Sequence, residues 1–232
     1  MARETLNREQ IVRAAIELLD AEGIDGLSMR KLGQRLGSAA TAMYWHVGNK
    51  ENLLLLAADE VWSEVRLPDV QAVGWRPAAR ELMYAVRELC DRHRWLVRVI
   101  TTYLAYSEGM ARFQECAYET FETAGFRDAD LDWAVSTPFM FVTGLAFMST
   151  TEVAEVKQRA SQDAAAQPEE EAAVLAQANA LAAKYPRLGA SLEGQAQRGQ
   201  TFTEQVEEVF AFGVETILDG LEARLKAGER AE

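Results

Sequence analysis

Residues 28–50 hold a cluster of side chains whose types suit the binding of an anionic polymer. The segment has no acidic residue and four cations, which are Arg30, Lys31, Arg35 and Lys50. Tyr44 and His46 add neutral hydrogen-bond donors within a short aromatic run. Donors of both kinds contact the phosphates of nucleic acids, and polar side chains also read base edges. The cluster therefore favours nucleic-acid binding.

Charge is distributed unevenly along the 232 residues, which have a formal net charge of −12. Residues 1–52 contain seven Lys and Arg against seven Asp and Glu, whereas residues 53–232 contain 17 against 29. An acidic body repels DNA and leaves the neutral N-terminal end as the place where phosphates can bind. The acidic composition of the whole chain is therefore compatible with DNA binding at that end.

Two short helices are predicted within residues 28–50. Ser28 can cap the first by accepting a backbone N–H bond, and Gly37 supplies the left-handed conformation that commonly ends a helix. Ser38 can cap the second, in which Met43 and Val47 have the spacing to pack on the first. Two helices joined by such a tight turn form a helix-turn-helix, which places its second helix in the DNA major groove.

Helices are also predicted on both sides of this unit. Asn7 and Gln10 form a capping-box pattern at the start of a first helix, which Gly23 ends. A fourth helix is predicted from Asn49 to about Arg66, and the broken pattern after it marks a domain boundary.

The remaining apolar residues recur at helical spacing, without strand-like alternation. We therefore expect an all-α protein of two domains. Residues 1–66 form the DNA-binding helix-turn-helix domain, with three helices and the connecting fourth helix, and residues 67–232 form a larger helical domain.

The N-terminal sequence resembles the DNA-binding domain of the TetR family of bacterial transcriptional regulators, from Asn7 to about Val61. The first matching unit is IVRAAIELLDAEGIDGLSMRKLGQRLG and the second is TAMYWHVGNKENLL. The run YWHVGNK within the second unit is most similar to the tetracycline-repressor branch. The resemblance implies a DNA-binding regulator whose larger domain binds a small effector and pairs with a second copy.

The resemblance also implies roles for individual residues. Arg30 is expected to reach a base edge or a phosphate. Tyr44, His46 and Lys50 are expected to hold the DNA backbone, and Trp45 to pack and position its neighbours. The full set expected at the DNA is Ser28, Met29, Arg30, Ala40, Thr41, Ala42, Tyr44, Trp45, His46 and Lys50.

The recognition positions depart from the tetracycline repressors, which carry Gln, Pro and Thr where this chain has Ala40, Thr41 and Ala42. Alanine offers only methyl contacts, so the bidentate amide readout of adenine is missing. We expect a different operator, discriminated mainly by Arg30, Thr41 and DNA shape.

The larger domain is rich in aromatic residues, and these fit either a plain core or an apolar ligand cavity. The resemblance adds the expectation of an effector cavity. The residues expected around the effector are Arg66, Leu82, Met83, Val86, Ile100, Tyr103, Leu104, Phe113, Ala117, Phe139 and Thr143, with Ser136 as a further polar anchor. Aliphatic side chains occupy the positions where tetracycline repressors bind drug and magnesium, so we expect a largely apolar effector, no metal and no cofactor.

Two helical segments, near 130–156 and 203–226, have apolar residues on more than one stripe. This predicts a face buried by a second subunit, and the resemblance implies that the two segments pair with their copies in a four-helix bundle. A homodimer presents two recognition helices about 34–36 Å apart, which matches a palindromic double-stranded operator.

Other functions find less support in the sequence. The common nucleotide-binding, hydrolase and metalloprotease motifs are absent, so an enzyme is not expected. The N-terminus lacks a signal-peptide pattern and no run of 18 apolar residues occurs, so we expect a cytoplasmic protein without a membrane span. Cys90 and Cys116 are expected to be buried thiols. Two alternatives remain open: a transcriptional activator, and a helical dimer that binds a protein partner without DNA.

Overall fold

The computed structural model describes residues 6–102, 107–149, 176, 180–199 and 202–228. This part of the chain is built from helices and contains no strand, which confirms the predicted all-α class. In chain order the helices include α1 (Arg8–Gly26), α2 (Met29–Arg35), α3 (Ala40–Val47), α4 (Lys50–Ser63), α5 (Val70–Val73), α6 (Trp75–Arg92), α7 (Trp95–Thr102), α8 (Glu108–Ala124), α9 (Asp128–Met148), α10 (Pro186–Arg198) and α11 (Phe202–Gly228).

The predicted helix starts of the N-terminal region are confirmed in three places. Asn7 and Gln10 form both bonds of a capping box at α1. Ser28 caps α2 by accepting from the backbone N–H of Lys31, and Asn49 caps α4 in the same way. Gly23 interrupts α1 with a φ of 70°, a left-handed conformation that glycine adopts without strain.

The expectation that Ser38 caps α3 is wrong. Ala39 occupies the N-cap position and makes no side-chain bond there. Ser38 instead ends α2, because its backbone N–H donates to the carbonyl of Gly33 while Gly37 takes a left-handed φ of 61°. The turn between the helices therefore uses Ser38 through its backbone.

The predicted end of α4 near Arg66 is also too late, since the helix ends at Ser63. A guanidinium from α8 explains the early end: Arg112 donates to the backbone carbonyls of Ser63 and Val65, at 3.1 and 2.8 Å. These carbonyls are thus satisfied without a further helical turn.

The chain divides into two compact units, one over residues 1–147 with 213–232 and one over residues 148–212. Within the first unit α4 packs on α8 and α7, and α6 packs on α8. The boundary predicted at residues 66 and 67 lies in this first unit, in the loop between α4 and α5. Both cysteines are buried as expected, and burial raises the pKa of the Cys90 thiol to about 12.

Helix α9 is the most apolar of the described helices that are long enough to span a bilayer. By length and composition it qualifies as a candidate membrane span, with a mean hydropathy of 1.3 over an 18-residue window of which 28% is buried. Pro138 lies inside it and removes one of its backbone donors. The window contains both buried and widely exposed apolar residues, so this helix presents an apolar face to its surroundings.

Candidate nucleic-acid interface and ligand cavity

Helix α2, the first helix of the helix-turn-helix, is held to α1 by two ion pairs. Lys31 pairs with Glu22, and Arg35 pairs with Glu17 at 2.6 Å. All four side chains are about half exposed, so each pair stabilises the fold only weakly, by roughly 0–1 kcal/mol. The pairs nonetheless fix the position of α2, and they engage two of the four cations expected at the DNA.

Arg30 and Lys50 differ from Lys31 and Arg35 in their surroundings. Arg30 is exposed at the start of α2, and its guanidinium has no ion pair or hydrogen bond within the described part of the chain. Lys50 is half-buried, and its ammonium donates to the backbone carbonyl of Ile24 at 2.9 Å. Arg30 is thus ready to meet a phosphate or a base, whereas Lys50 also stabilises the end of α1.

Helix α3 directs its apolar and polar side chains to opposite sides. Met43 and Val47 are one helical turn apart and fully buried, which confirms their predicted packing. Tyr44 is 47% exposed, and His46 is exposed as well.

The packing role expected for Trp45 is wrong, because this side chain is 90% exposed. The reason is helical geometry: Trp45 lies midway between Met43 and Val47, and two residues of an α-helix correspond to about 200° of rotation. Its indole points away from the core, beside Tyr44 and His46. A tryptophan that leaves its ring and N–H in water is available to a partner.

The remaining predicted DNA residues divide into three groups. Met29 is only 7% exposed, since it lies on the inner face of α2 with Leu32, so its side chain is not a surface contact as expected. Ser28 is exposed while its hydroxyl caps α2, and Ala42 is half-buried. The side chains of Ala40 and Thr41 lie outside what the structure describes.

A second candidate site is a cavity between α6, α8 and α9. Its volume is about 140 Å³, or about 730 Å³ when the space at its open side is included. Six of the expected effector residues line it, together with Ser136: these are Leu82, Met83, Val86, Phe113, Ala117 and Phe139. Their role in effector binding stays a prediction, but they are brought together at one cavity.

Two of the expected effector residues, Arg66 and Ile100, lie away from the cavity. Arg66 lines a separate groove with Glu81 and Tyr84, because it follows the end of α4 on the side of α6 that faces away from the cavity. Ile100 belongs to α7, which packs on α1 and α4 and does not reach the cavity.

The hydroxyl of Thr143 is used within its own helix, where it donates to the carbonyl of Phe139 at 2.8 Å. Thr143 also does not line the cavity, so its position does not support the expected role as a polar anchor. Tyr103 and Leu104 lie outside the described residues.

Several lining residues were not anticipated. On α8 they are Met110, Gln114, Tyr118 and Phe121, which line the cavity together with the expected Phe113 and Ala117. Gln114 is half-buried and brings an amide to this face. An amide on a largely apolar helical face is a signal that the sequence contained.

The cavity wall reaches α4 directly. The Trp62 ring of α4 lies 5.2 Å from that of Phe113 and 6.3 Å from that of Phe139, centroid to centroid. At the start of α8 the backbone N–H of Gly109 donates to the carboxylate of Asp59 on α4, at 2.7 Å. With the Arg112 bonds to the end of α4, these contacts join the cavity to the helix that follows the helix-turn-helix.

A buried imidazole joins α1 to the loop between α6 and α7. His93 is 4% exposed, and its Nδ1 lies 2.8 Å from a carboxylate oxygen of Asp20. The same oxygen accepts from the indole N–H of Trp95 at 2.7 Å. The Nε2 of His93 lies 3.6 Å from Glu64, just beyond α4. This network could not be predicted from local patterns, because its members are far apart along the chain.

Comparison with known proteins gives two matches to family models. Residues 11–57 match the model described as "Bacterial regulatory proteins, tetR family", and residues 67–225 match "Tetracyclin repressor-like, C-terminal domain". A transcriptional regulator of Saccharopolyspora erythraea is 40% identical over 140 residues, which are 60% of this chain and 59% of that protein. The chain thus spans less than two thirds of the length of that relative.

Two other proteins are similar over nearly the whole chain. The transcriptional repressor DrrR1 of Streptomyces coeruleorubidus is 29% identical over 99% of this chain and 82% of its own length. The structure of apo ActR from Streptomyces coelicolor has a TM-score of 0.75 and 27% identity, covering 98% of this chain and 100% of that one. ActR has also been solved in complex with actinorhodin, with a TM-score of 0.74 and 26% identity, covering 95% of this chain and 97% of that one.

Proposed function

The chain belongs to the TetR family of bacterial regulatory proteins, and we propose that it is a homodimeric transcriptional repressor that a small, largely apolar effector releases from a palindromic DNA operator. The observation that carries this proposal is the exposed edge of α3, where Tyr44, Trp45 and His46 stand in solvent, together with the exposed Arg30 at the start of α2. Its similarity to DrrR1, which is named a repressor, favours repression over activation.

The proposed division of labour places DNA binding in residues 1–66 and effector binding with dimerisation in residues 67–232. The two matched family models, which meet near this boundary, support the division. A regulator of this kind acts in the cytoplasm, where its operator is.

Effector response is proposed to run from the cavity to α4. A ligand that fills the cavity displaces Phe113 and Phe139, and both rings lie against Trp62 of α4. Movement of α8 also pulls on α4 through Asp59 and Arg112. Since α4 follows the recognition helix, its displacement alters the spacing of the two recognition helices. Coupling of this kind typically amounts to about 1–3 kcal/mol in operator affinity.

Dimerisation is proposed to bury the exposed face of α9. Trp133 is 61% exposed and Met140 69%, and with Phe147 they recur every seven residues along one side of the helix. A stripe with this period is the seam by which two helices pair. Val209 and Phe212 of α11 are also exposed. A membrane would cover an apolar helix too, but a heptad stripe on one side fits a partner helix better than lipid, which contacts a helix all round.

The test is a binding experiment with the full chain and operator fragments selected from random double-stranded DNA. We expect affinity to fall steeply with salt, because phosphate binding releases counterions. Lys50→Ala should weaken binding to all sequences and reduce the salt slope by about one unit. Lys31→Ala, which removes a cation already paired with Glu22, serves as the matched control.

Two results would contradict the proposal. A selection that enriches no sequence, or binding that is insensitive to salt, would favour the alternative of a protein partner without DNA. A bound operator that raises transcription from a reporter would make the protein an activator. An unchanged salt slope in Lys50→Ala would remove Lys50 from the phosphate contacts and leave it only its bond to Ile24.

A further inference from the structure

The polar side chains of the cavity lining are neutral, and two of them make no hydrogen bond within the part of the chain that the structure describes. We propose that the cavity takes an uncharged aromatic ligand bearing a carbonyl or hydroxyl group, and that Gln114 and Ser136 bind this group. The inference rests on the proposed effector-binding function and specifies the chemical class of the effector.

The shape and lining of the cavity select an aromatic ring. Its volume of about 140 Å³ is close to that of an engineered apolar cavity of about 150 Å³ that binds benzene. Aromatic and thioether side chains supply the wall, and such groups make favourable contacts with a ring. The most relevant of them are Met83, Met110, Phe113, Phe121 and Phe139.

The ligand can extend beyond this inner space. Tyr118 lines the cavity while being partly exposed, so it marks an open side towards which the ligand can extend. One ring therefore fits inside, and a further part of the ligand fits towards this opening.

Gln114 and Ser136 supply the hydrogen bonds. Both side chains are half-buried and line the cavity, from α8 and α9 respectively. Neither has a hydrogen-bond partner among the described residues, in contrast to the hydroxyls of Thr120 and Thr143, which donate to carbonyls of their own helices. An amide and a hydroxyl each donate and accept, so together they match a ligand carbonyl or hydroxyl group.

The same lining discriminates against a carboxylate. Transfer of an ionised group from water into an apolar site is costly unless a countercharge receives it. The polar members of the described lining are Gln114, Ser136 and Tyr118, and the hydroxyl of Tyr118 donates to the Asp132 carboxylate. The negative charge of the Asp132 carboxylate makes the opening still less favourable for an anion.

A direct titration of the full chain, without DNA, tests this assignment. The probes are 2-acetylnaphthalene and 2-naphthoate, which have the same ring system and differ in the charge of the substituent. Binding is measured by isothermal titration calorimetry, which gives both affinities directly. We expect the ketone to bind at least tenfold more tightly than the carboxylate.

Three variants locate the bound group. Gln114→Leu and Ser136→Ala should each lower the affinity for the ketone by about 3- to 10-fold, the range for one hydrogen bond. Gln114→Arg should instead raise the affinity for 2-naphthoate. Gln71→Leu makes the same change as the first variant on the exposed α5 helix, and it should leave both affinities unchanged.

The assignment is overturned if the carboxylate binds as well as the ketone, if neither probe binds, or if Gln114→Leu and Ser136→Ala both leave ketone binding unchanged. Circular dichroism and thermal melting confirm that each variant is folded before it is titrated. Because no DNA is present, these outcomes are separate from the operator experiment: loss of DNA binding would refute the repressor function and leave the ligand class intact.

Discussion

At the scale of single residues, the angle around a helix decides which side chains meet a partner. Met43, Trp45 and Val47 are all large and apolar, yet the first and third are buried and the second stands in solvent. Their hydrophobicity does not explain why one is exposed and two are buried. Helical rotation does, because each residue turns the side chain by about 100° and Trp45 is two residues from each of the others. A tryptophan exposed to this extent beside Tyr44 and His46 is better explained by a binding surface than by packing.

Replacement of Trp45 by alanine tests this explanation. We expect the free energy of unfolding to change by no more than about 0.5 kcal/mol, since the ring has few protein contacts to lose. Operator affinity should fall roughly fivefold or more, because one hydrogen bond is worth about 1 kcal/mol. Chemical denaturation measures the free energy of unfolding, and DNA titration measures the operator affinity.

Val73→Ala truncates another exposed apolar side chain, far from α3 in sequence, and should affect neither quantity. A large loss of stability in Trp45→Ala would restore the packing role. Unchanged DNA binding would remove the indole from the interface.

At the scale of elements, α4 and α8 approach each other so closely that only glycine fits between them. A Cβ atom added at Gly109 would lie 2.7 Å from the backbone oxygen of Asp59 and 2.9 Å from the backbone nitrogen of Ser63. The backbone N–H of Gly109 uses this proximity to bond the Asp59 carboxylate. The helix that lines the cavity and the helix that supports the DNA-binding unit are therefore joined backbone to backbone.

Gly109→Ala is expected to lower the free energy of unfolding by about 1–3 kcal/mol, because the two helices must separate to admit the methyl group. The effector should also release the operator less effectively, since the contact that transmits its effect is loosened. Thermal or urea unfolding measures the first effect, and operator titration with and without effector the second.

Gly194→Ala is the matched control. Gly194 is also helical, in α10, and the nearest atom to a Cβ added there is the Nη1 of Arg198 at 3.8 Å, an ordinary contact, so the same substitution should be neutral or slightly stabilising. Equal behaviour of the two variants would show that the α4–α8 approach is not a constraint.

At the scale of the whole molecule, exposed apolar side chains and surface charge decide assembly and pH response. The stripe on α9 predicts that Trp133→Glu produces a monomer, because two carboxylates would have to be buried opposite each other at the paired helices. Sedimentation should report half the mass, and operator affinity should drop sharply. Val73→Glu, an equally large change at an exposed site away from α9, should remain dimeric; a Trp133→Glu dimer would refute the stripe as the interface.

A cluster of charges joins α6 to the middle of α11. Arg80 and Arg76 bond the carboxylate of Glu215, and they hold the pKa of Glu215 down at about 2, mainly through the Arg80 hydrogen bond. Because the folded-state pKa lies below the unfolded value, this carboxylate stabilises the fold fully above about pH 4.5. Its contribution is lost as the pH falls towards about 2.

Glu215→Gln should therefore be less stable than the natural protein at pH 6, and the two should converge as the pH approaches 2. Urea unfolding across this range measures the difference. Asp91→Asn provides a comparison for the loss of a carboxylate charge. Asp91 is an exposed acid that pairs with Arg87 within α6. A constant difference between Glu215→Gln and the natural protein at all pH values would exclude the carboxylate charge as its cause.

Local sequence determined the elements and the family of this protein. The capping residues Asn7, Ser28 and Asn49 act over three or four positions, so their bonds could be predicted from neighbours along the chain. The family resemblance and the run of aromatic residues pointed to Leu82, Met83 and Phe113, which the structure places at one cavity. The run from Tyr44 to Lys50 was sufficient to indicate a DNA-binding regulator.

Tertiary structure decided whatever depends on residues distant in sequence. Arg112 of α8 ends α4 three residues before the expected position, and Asp20 of α1 holds His93. Because of the point at which α4 ends, Arg66 lies in a separate groove and not at the cavity. A polar residue that does line the cavity is Gln114 of α8. Helical periodicity determines which residues share a face, but only the packing of helices against one another determines what that face meets.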